Sequence, residues 1–233
     1  GDFGVSYTKA GLTVNKVIAD GFPFSLTIGI YASLVVVFAG ILFGSVCALR
    51  QNKLIDRFFM VLSTLGSTIP SFVLATGFLF LFSKTLGLVP AFGVDEVAGY
   101  IGPVLVIGAF PLSFITRLTR TSLVEVQQQD YIRTARSKGI SEFKVIYKHA
   151  LRNALLPVVT YIGPMVASIV TGSFVIETVF GIPGVGQLFT DSIVNRDYPL
   201  IMGITVFFAV LLVLAVLIVD LVYVLIDPRI KLD

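Results

Sequence analysis

Five long apolar stretches alternate with shorter polar segments along the chain. They cover roughly residues 24–49, 58–82, 101–116, 154–175 and 200–226. Most of them reach the ~20 residues that a helix needs to cross a hydrocarbon core of about 30 Å. The third stretch is the shortest, and Arg117 and Arg120 can extend it by placing their charged ends at the interface. The pattern therefore predicts an all-α, polytopic membrane helical bundle with five spans, and residues 1–233 form a single transmembrane domain.

The composition also indicates that the chain lies in a membrane. Hydrophobic residues make up 56% of the sequence, charged residues only 13%, and the mean hydropathy is +0.95. Soluble domains carry about 25% charged residues, so an ordinary soluble enzyme and a disordered chain are both excluded. The single cysteine, Cys47, allows no internal disulfide, and the single histidine, His149, is too little for a zinc site. We predict no metal site in this chain.

The lysines and arginines are distributed unevenly over the polar segments. If the spans alternate in direction, one side of the membrane receives thirteen of the 17 basic residues and the other side receives four. The basic side consists of residues 50–57, 117–153 and 227–233, and the other side consists of residues 1–23, 83–100 and 176–199. The positive-inside rule places the basic side in the cytoplasm, which makes 176–199 an external glycine-rich loop. A chain that starts outside, with Gly1 first and no signal-peptide features, predicts a further span upstream.

Proline and glycine interrupt three of the predicted spans. The interrupting residues are Gly66, Pro70, Gly108, Pro111, Pro157, Gly163 and Pro164. A proline removes one backbone hydrogen bond and bends its helix, and lipid tolerates the loosened backbone only where protein or water covers it. Two interpretations remain open at this point: the helices surround a pathway, or irregular helices simply pack together.

The polar segment 125–153, EVQQQDYIRTARSKGISEFKVIYKHALRN, predicts two short helices. The first runs over 131–138 and ends at Gly139, which adopts positive φ at little cost. Ser141 is expected to cap the second helix, with Glu142 at its positive end. Apolar and basic residues then recur on separate faces with the helical period. The apolar residues are Phe143, Ile146, Tyr147, Ala150 and Leu151, and the basic row is Lys144, Lys148 and Arg152.

Such a helix fits either a membrane lipid surface or a docking site on another protein, and the residues alone leave both open. A helix-turn-helix for DNA is disfavoured, because both ends of the segment are tied to spans only a few residues away. No nucleic-acid partner is therefore expected.

Several spaced motifs resemble one family, the integral-membrane permease subunits of binding-protein-dependent ABC importers. The motifs are YIRTARSKG at 131–139, HALRNALLP at 149–157, ETVFGIPGVGQL at 177–188, NRDYPLI at 195–201 and DPRI at 227–230. Together with the opening GDFGVSY, they resemble the B-type subunit of the oligopeptide and dipeptide (peptide/nickel) branch. The cytoplasmic signature of the family, Glu-Ala-Ala, three residues, Gly, then Ile-x-Leu-Pro, is kept in part: Ala135 and Gly139 match, whereas the proline is delayed to Pro157.

The resemblance implies a role for residues 124–153. In the family this cytoplasmic coupling loop docks in a cleft of an ATP-hydrolysing subunit, and closure of two such subunits switches the permease between inward-open and outward-open states. The residues that match the ATPase-coupling element are Ala135, Gly139, Ile140, Ser141, Glu142, Phe143 and Lys144. Ile140 and Phe143 would supply the apolar anchor, and Glu142 and Lys144 the flanking polar contacts.

The resemblance also implies partners and a location. The expected partners are a second homologous permease subunit, two cytoplasmic ATP-binding subunits, an extracytoplasmic substrate-binding protein and membrane lipid. The expected location is the plasma membrane of a bacterium or archaeon. No cofactor is expected in this chain, because ATP would be bound by the partner subunits.

No catalytic site is apparent in the sequence. The phosphate-binding pattern G-x-x-x-x-G-K-[ST] is absent, and Gly184-Val185-Gly186 has neither a preceding strand nor a glycine at 189. No Ser/His/Asp set or pair of carboxylates shares a plausible site. We therefore predict a transport subunit and not an enzyme.

Two acidic residues are candidates for the substrate pathway. Asp220 lies inside the last apolar stretch, where burial of a charge costs several kcal/mol, so it either lines a pathway or reaches the interface or a basic partner. Glu177 lies where the fourth stretch meets the outside. It either contacts substrate or a delivery protein, or it is solvated at the surface.

The predicted function is ATP-driven import of peptides, the commonest cargo of permeases with similar sequence. The alternative is a secondary transporter or channel driven by an ion gradient, which would be expected to carry several ionisable groups deep in the membrane. Only Asp220 meets that description. A third class, a non-transporting scaffold, would share the docking element but would need no kinked pathway.

Overall fold

The computed structural model describes residues 1–226, and at position 220 and positions 222–226 it describes the backbone alone. The DPRI motif at 227–230 lies outside these residues. In the described part all regular secondary structure is helical, and an isolated antiparallel bridge joins Val5 and Thr13. The α-helices are α1 Val14–Leu49, α2 Leu54–Thr68, α3 Ser71–Phe78, α4 Ile101–Gln127, α5 Asp130–Ser137, α6 Glu142–Lys144, α7 Leu151–Ala154, α8 Leu156–Val170, α9 Phe174–Phe180, α10 Val185–Val194 and α11 Tyr198–Ile226. Two π-helical segments, Leu79–Thr85 and Val145–Ala150, and a 3₁₀ turn, Val97–Tyr100, complete the order.

The predicted all-α membrane bundle is confirmed. Among the described residues, three helical segments are each long and apolar enough to cross a membrane: Val14–Leu49, Val97–Gln127 and Tyr198–Val219. Two further candidates are bent pairs, Leu54–Thr68 with Ser71–Thr85 and Glu142–Ala154 with Leu156–Val170. The count reaches the predicted five if each bent pair forms one span.

The helices differ from the predicted stretches at their ends. α1 begins at Val14, ten residues before Phe24, and continues through Pro23; its first turns carry an exposed Lys16–Asp20 ion pair at 3.1 Å. α4 continues to Gln127, well past Thr116, and contains Arg120 with its ion pair. The second stretch breaks at Ile69, where α2 ends before Pro70, as expected of the residue that precedes a proline.

The described chain divides into two compact units. Unit 1 contains Gly1–Ser33, Pro70–Ile107 and the residues from Pro164 onward, and unit 2 contains Leu34–Ile69 and Gly108–Gly163. In unit 1 a buried cluster joins the start of α1 to α10 and α11. Its members are Val14, Val17, Ile18, Val185, Leu200 and Ile204.

In unit 2 small residues bring helices close together. A Cβ at Gly44 of α1 would lie 2.5 Å from the Thr119 Cβ and 2.6 Å from the Thr116 carbonyl oxygen of α4. Only glycine fits this crossing, because real Cβ atoms do not approach other heavy atoms so closely. Close approach of backbones is the main source of helix association in lipid, so this contact holds the second half of α1 against α4.

Candidate functional site

The polar segment with the clearest predicted role folds as a compact helical hairpin in unit 2. α5 forms its first arm, and α6, the π-helical segment Val145–Ala150 and α7 form its second arm. We call residues 130–154 the basic hairpin. A hydrogen bond from Asn153 Nδ2 to the Tyr131 hydroxyl, 2.8 Å long, joins the two arms at the base.

The basic hairpin is packed into the core of unit 2. Ile132, Val145, Ala150 and Ala154 are fully buried, and they form one cluster with residues of the ends of α1 and α4. Those residues are Ala48 and Leu123. The hairpin and the ends of these two helices thus share one close-packed interior.

The second arm does not keep the predicted helical face. The structure buries Val145, Ile146 and Ala150, whereas Phe143 and Tyr147 are 69% and 58% exposed. The π-helical turn over Val145–Ala150 departs from the 3.6-residue period, and Phe143 lies ahead of it in α6. The predicted apolar face is thus divided: Ile146 and Ala150 are buried in the unit, whereas Phe143 and Tyr147 are exposed.

The turn between the arms follows the prediction in its backbone but not in its cap. α5 ends at Ser137, and Gly139 has a φ of +72°, as the glycine stop requires. Ser141 stands at the N-cap position of α6, but its hydroxyl makes no capping hydrogen bond. Instead Arg136 closes the turn, because its Nη2 lies 2.7 Å from Glu142 Oε1. Glu142 thus serves as the partner of an arginine on the other arm.

The exposed end of the hairpin presents two aromatic rings among charges. The Phe143 and Tyr147 rings lie 4.4 Å apart, and Ser141, Glu142 and Lys144 are exposed beside them. Of the other residues predicted to couple, Ala135 is buried in the core, and Ile140 packs against it. The predicted set thus comprises an exposed part and a part that supports it from below. Aromatic anchors rimmed by charged groups are typical of protein docking surfaces.

A buried ion pair fixes α2 to α4 in the same unit. Arg120 Nε lies 2.6 Å from Asp56 Oδ1, and Arg120 Nη2 lies 2.7 Å from Asp56 Oδ2. The Asp56 side chain is 3% exposed, so this bidentate pair is largely desolvated. The sequence did not predict that the Arg120 guanidinium binds Asp56. The sequence signal was an aspartate in the first turn of a membrane helix.

Glu177 is buried in unit 1, at 1% exposed, so its alternative placement as a solvated surface residue is wrong. Its Oε2 accepts hydrogen bonds from the backbone N–H groups of Gly186 at 2.8 Å and Gln187 at 3.2 Å, at the N-terminus of α10. Burial raises the pKa of the Glu177 carboxyl, while hydrogen bonds from Ser25 and these backbone groups act in the opposite direction. The GIPGVG sequence therefore forms a cradle: a Cβ at Gly186 would lie 2.8 Å from Glu177 Oε2.

A second buried carboxylate of unit 1, Asp197, was not identified from the sequence. It is fully buried and accepts hydrogen bonds from the Ser6 hydroxyl at 2.5 Å and the Thr8 hydroxyl at 2.8 Å. The backbone N–H groups of Tyr7 and Thr8 also donate to it. Burial by itself would raise the pKa of Asp197, but these hydrogen bonds outweigh it and lower the pKa to about 2. Asp197 therefore ties the N-terminal segment to the start of α11.

Asp220, the other pathway candidate, belongs to α11. The structure describes its backbone and not its side chain. Within the described part, no group of three or more His, Cys, Asp or Glu side chains could hold a metal ion. Cys47 is buried.

Comparison with known proteins gives consistent results. Residues 40–232 match the family described as the binding-protein-dependent transport system inner membrane component. The dipeptide transport system permease protein DppB of Bacillus subtilis (strain 168) is 49% identical over 231 residues, covering 99% of this chain and 75% of that protein. The oligopeptide transport system permease protein OppB of Salmonella typhimurium is 41% identical over 233 residues, covering 99% of this chain and 76% of that protein.

Solved structures show the same fold. The chain is similar to the inward-facing MetNI methionine ABC transporter, with a TM-score of 0.71 and 16% identity over 88% of this chain and 94% of that chain. It is also similar to an amino acid ABC transporter with histidines, with a TM-score of 0.68 and 16% identity over 89% of this chain and 92% of that chain. At this identity the likeness concerns the fold alone.

Proposed function

This chain belongs to the family of binding-protein-dependent transport system inner membrane components, and from that premise we propose that it is a permease subunit of an ATP-driven importer for oligopeptides or dipeptides. The chain is a multi-pass membrane protein and a transport subunit, not an enzyme. The proposed substrate class is supported by relatives that are named as dipeptide and oligopeptide permeases at 40–49% identity over nearly the whole chain.

One observation supports the mechanism. The exposed Phe143–Tyr147 pair lies on the basic hairpin, and the buried side of that hairpin packs with residues of α1 and α4. In our proposal, a cytoplasmic ATP-binding subunit binds this aromatic pair and the adjacent Glu142 and Lys144. Movement of the bound end of the hairpin is transmitted to the ends of α1 and α4 through the buried residues Ile132, Val145 and Ala150. Two such subunits would bind ATP, so this chain would need no cofactor of its own.

The remaining partners follow from the same premise. A second, homologous permease subunit would complete the pathway, and an extracytoplasmic binding protein would deliver substrate at an outer mouth near residues 176–199. The complex would lie in the plasma membrane of a bacterium or archaeon, with residues 124–153 in the cytoplasm. Pathway roles for Glu177 and Asp220 remain predictions. The buried Glu177 is better suited to shaping the loop than to touching cargo directly.

Uptake of radiolabelled di- and tripeptides in a deletion strain tests the proposal. We expect uptake to be restored by the full-length protein with its partner subunits and to stop when ATP is depleted while the ion gradients are clamped. Uptake that continues without ATP would assign the chain to gradient-driven transport. Restored ATPase assembly without any uptake would assign it to a scaffold.

The coupling role has its own variant in the same assay. In Gly139→Val a β-branched residue must adopt a φ of +72°, at a cost of about 1–3 kcal/mol, which should distort the turn and uncouple ATP hydrolysis from uptake. The matched control is Gly139→Asn, because asparagine tolerates this backbone conformation and no atom lies within 4 Å of a Cβ at this position. Normal peptide uptake in Gly139→Val would contradict the coupling role.

A further inference from the structure

The loop that joins α1 to α2 forms a basic cleft at a membrane surface. α1 ends at Leu49 and α2 begins at Leu54, and both belong to candidate membrane spans, so the loop lies where the chain leaves and re-enters the hydrocarbon. The cleft has a volume of about 770 Å³. It is lined by Arg50, Asn52, Lys53, Leu54, Ile55 and Arg57. The three cations among these side chains are exposed.

Among the side chains that the structure describes, the three cations have no ion-pair partner. The ion pairs found there involve other basic residues than Arg50, Lys53 and Arg57. The adjacent carboxylate, Asp56, is 2% exposed, and both of its oxygens are bound by Arg120. The cleft therefore carries uncompensated positive charge and attracts anions.

The backbone of the loop is fixed next to the buried ion pair. Asn52 has a φ of +63°, and its N–H donates to Asp56 Oδ2 at 2.8 Å, so the buried ion pair also fixes the turn. The N-terminus of α2 has no side-chain cap, so its first N–H groups are free of a capping side chain. Unpaired N–H groups at the positive end of a 15-residue helix add to the field of the three cations.

Two apolar side chains beside the cations indicate which anion fits. Leu54 is 82% exposed and Phe58 is 64% exposed, at the first and second turns of α2. A free phosphate ion gains nothing from such neighbours. A phospholipid fits both features, since its phosphate can bind the cations while its acyl chains cover Leu54 and Phe58.

We propose that this cleft binds the phosphate of an anionic phospholipid, with Arg50, Lys53 and Arg57 as headgroup ligands and Leu54 and Phe58 against the acyl chains. The site is separate from the basic hairpin and does not depend on the transported substrate. A bound lipid would hold the cytoplasmic ends of α1 and α2 at a constant depth in the bilayer.

The test is a lipid titration of the full-length protein in detergent, followed by native mass spectrometry. The probes are phosphatidylglycerol, phosphatidylcholine and inorganic phosphate. We expect tight binding of about one phosphatidylglycerol that millimolar phosphate does not displace. In the triple variant Arg50→Gln, Lys53→Gln, Arg57→Gln we expect its affinity to fall by about a hundredfold, the effect of removing three cations at a membrane surface.

The matched control removes the same number of charges from the basic hairpin, as Lys138→Gln, Lys148→Gln, Arg152→Gln. This control should bind phosphatidylglycerol like the wild type. An equal loss of phosphatidylglycerol affinity in both triple variants would overturn the proposal, because the affinity would then depend only on the net charge of the protein. Equal binding of phosphatidylcholine, or displacement by inorganic phosphate, would also overturn it.

A single substitution isolates the acyl-chain contact. Leu54→Ser removes an exposed apolar group and leaves all three cations in place, so it should weaken phosphatidylglycerol binding without creating phosphate binding. If instead the basic-cleft triple variant keeps its lipid but loses a copurifying protein subunit, the cleft belongs to an acidic protein surface and the proposal fails.

Discussion

Glu177 and Asp197 are both almost fully buried in unit 1, yet their pKa values shift in opposite directions. Burial raises the pKa of each carboxyl, and hydrogen bonds lower it. Around Asp197 two hydroxyl groups and two backbone N–H groups, from Ser6, Tyr7 and Thr8, outweigh burial. Around Glu177 burial dominates. The two carboxylates should therefore respond to pH with opposite sign.

Asp197→Asn should destabilise the protein by about 2 kcal/mol at neutral pH, the value of a pKa lowered from 3.8 to about 2. A lowered pKa contributes stability that is present above the unfolded pKa and lost as pH falls through the folded pKa. The difference in unfolding free energy between wild type and variant should thus shrink between pH ~4 and ~2. Chemical unfolding in detergent measures it, and a difference independent of pH would contradict the assignment.

Glu177→Gln should behave in the reverse way. Because the pKa of Glu177 is raised, its contribution to stability is present below the unfolded pKa and is lost as pH rises through the folded pKa. The neutral glutamine should therefore gain stability relative to wild type as pH rises. Glu177→Ala should lose about 1–3 kcal/mol at every pH, because it leaves the N–H groups of Gly186 and Gln187 without an acceptor. Equal melting temperatures of the two variants would refute this role.

At the scale of elements, the basic hairpin has a buried side and an exposed side. The buried side, with Ile132, Val145 and Ala150, belongs to the core of unit 2, whereas the exposed side presents Phe143 and Tyr147. The two exposed rings lie 4.4 Å apart. In our proposal the exposed side binds the ATP-binding subunit and the buried side supports it.

Substitutions on the two sides of the hairpin should separate stability from docking. Phe143→Ala should leave unfolding within about 0.5 kcal/mol of wild type, as expected at an exposed site, but weaken binding of the ATP-binding subunit by about 2 kcal/mol, as expected of an aromatic anchor. Ile132→Ala should cost about 2–5 kcal/mol of stability, because it creates a cavity. The melting temperature measures the change in stability, and pull-down of the ATP-binding subunit measures the change in docking. An unchanged pull-down with Phe143→Ala would remove the pair from the interface.

At the scale of the whole chain, the structure shows two compact units, each with its own buried cluster. Each unit also contains one firmly held carboxylate that connects distant segments: Asp56 with Arg120 in unit 2, and Asp197 with Ser6 and Thr8 in unit 1. Exposed apolar side chains cover long parts of α1 and α11, as lipid or neighbouring subunits require.

The membrane assembly supplies the test at this scale. We expect mild solubilisation and affinity capture of the full-length protein to recover two ATP-binding subunits and one further permease subunit for each copy. The ratio can be measured by quantitative mass spectrometry with Phe143→Ala as the comparison, which should lower the yield of ATP-binding subunits and spare the second permease. Recovery of this protein free of any nucleotide-binding subunit would contradict the docking assignment.

Local sequence patterns were sufficient for the helical class, the number of apolar stretches, the break at Pro70 and the glycine stop at Gly139. Each depends on residues close together in the chain: hydropathy over ~20 positions for a span, and the allowed backbone angles of one proline or glycine. The ordered motifs also predicted the family, which the comparisons confirm.

Only the tertiary structure decided which distant groups meet. The partner of Arg120 is 64 positions away, and the hydroxyl of Ser6 lies 191 positions from Asp197, so no periodicity in the sequence reports either contact. The side chains that the second hairpin arm buries are likewise those that pack with Ala48 and Leu123. Hydrophobic pattern and turn chemistry act locally, whereas the pairing of buried charges and the choice of the exposed face depend on how the folded chain packs.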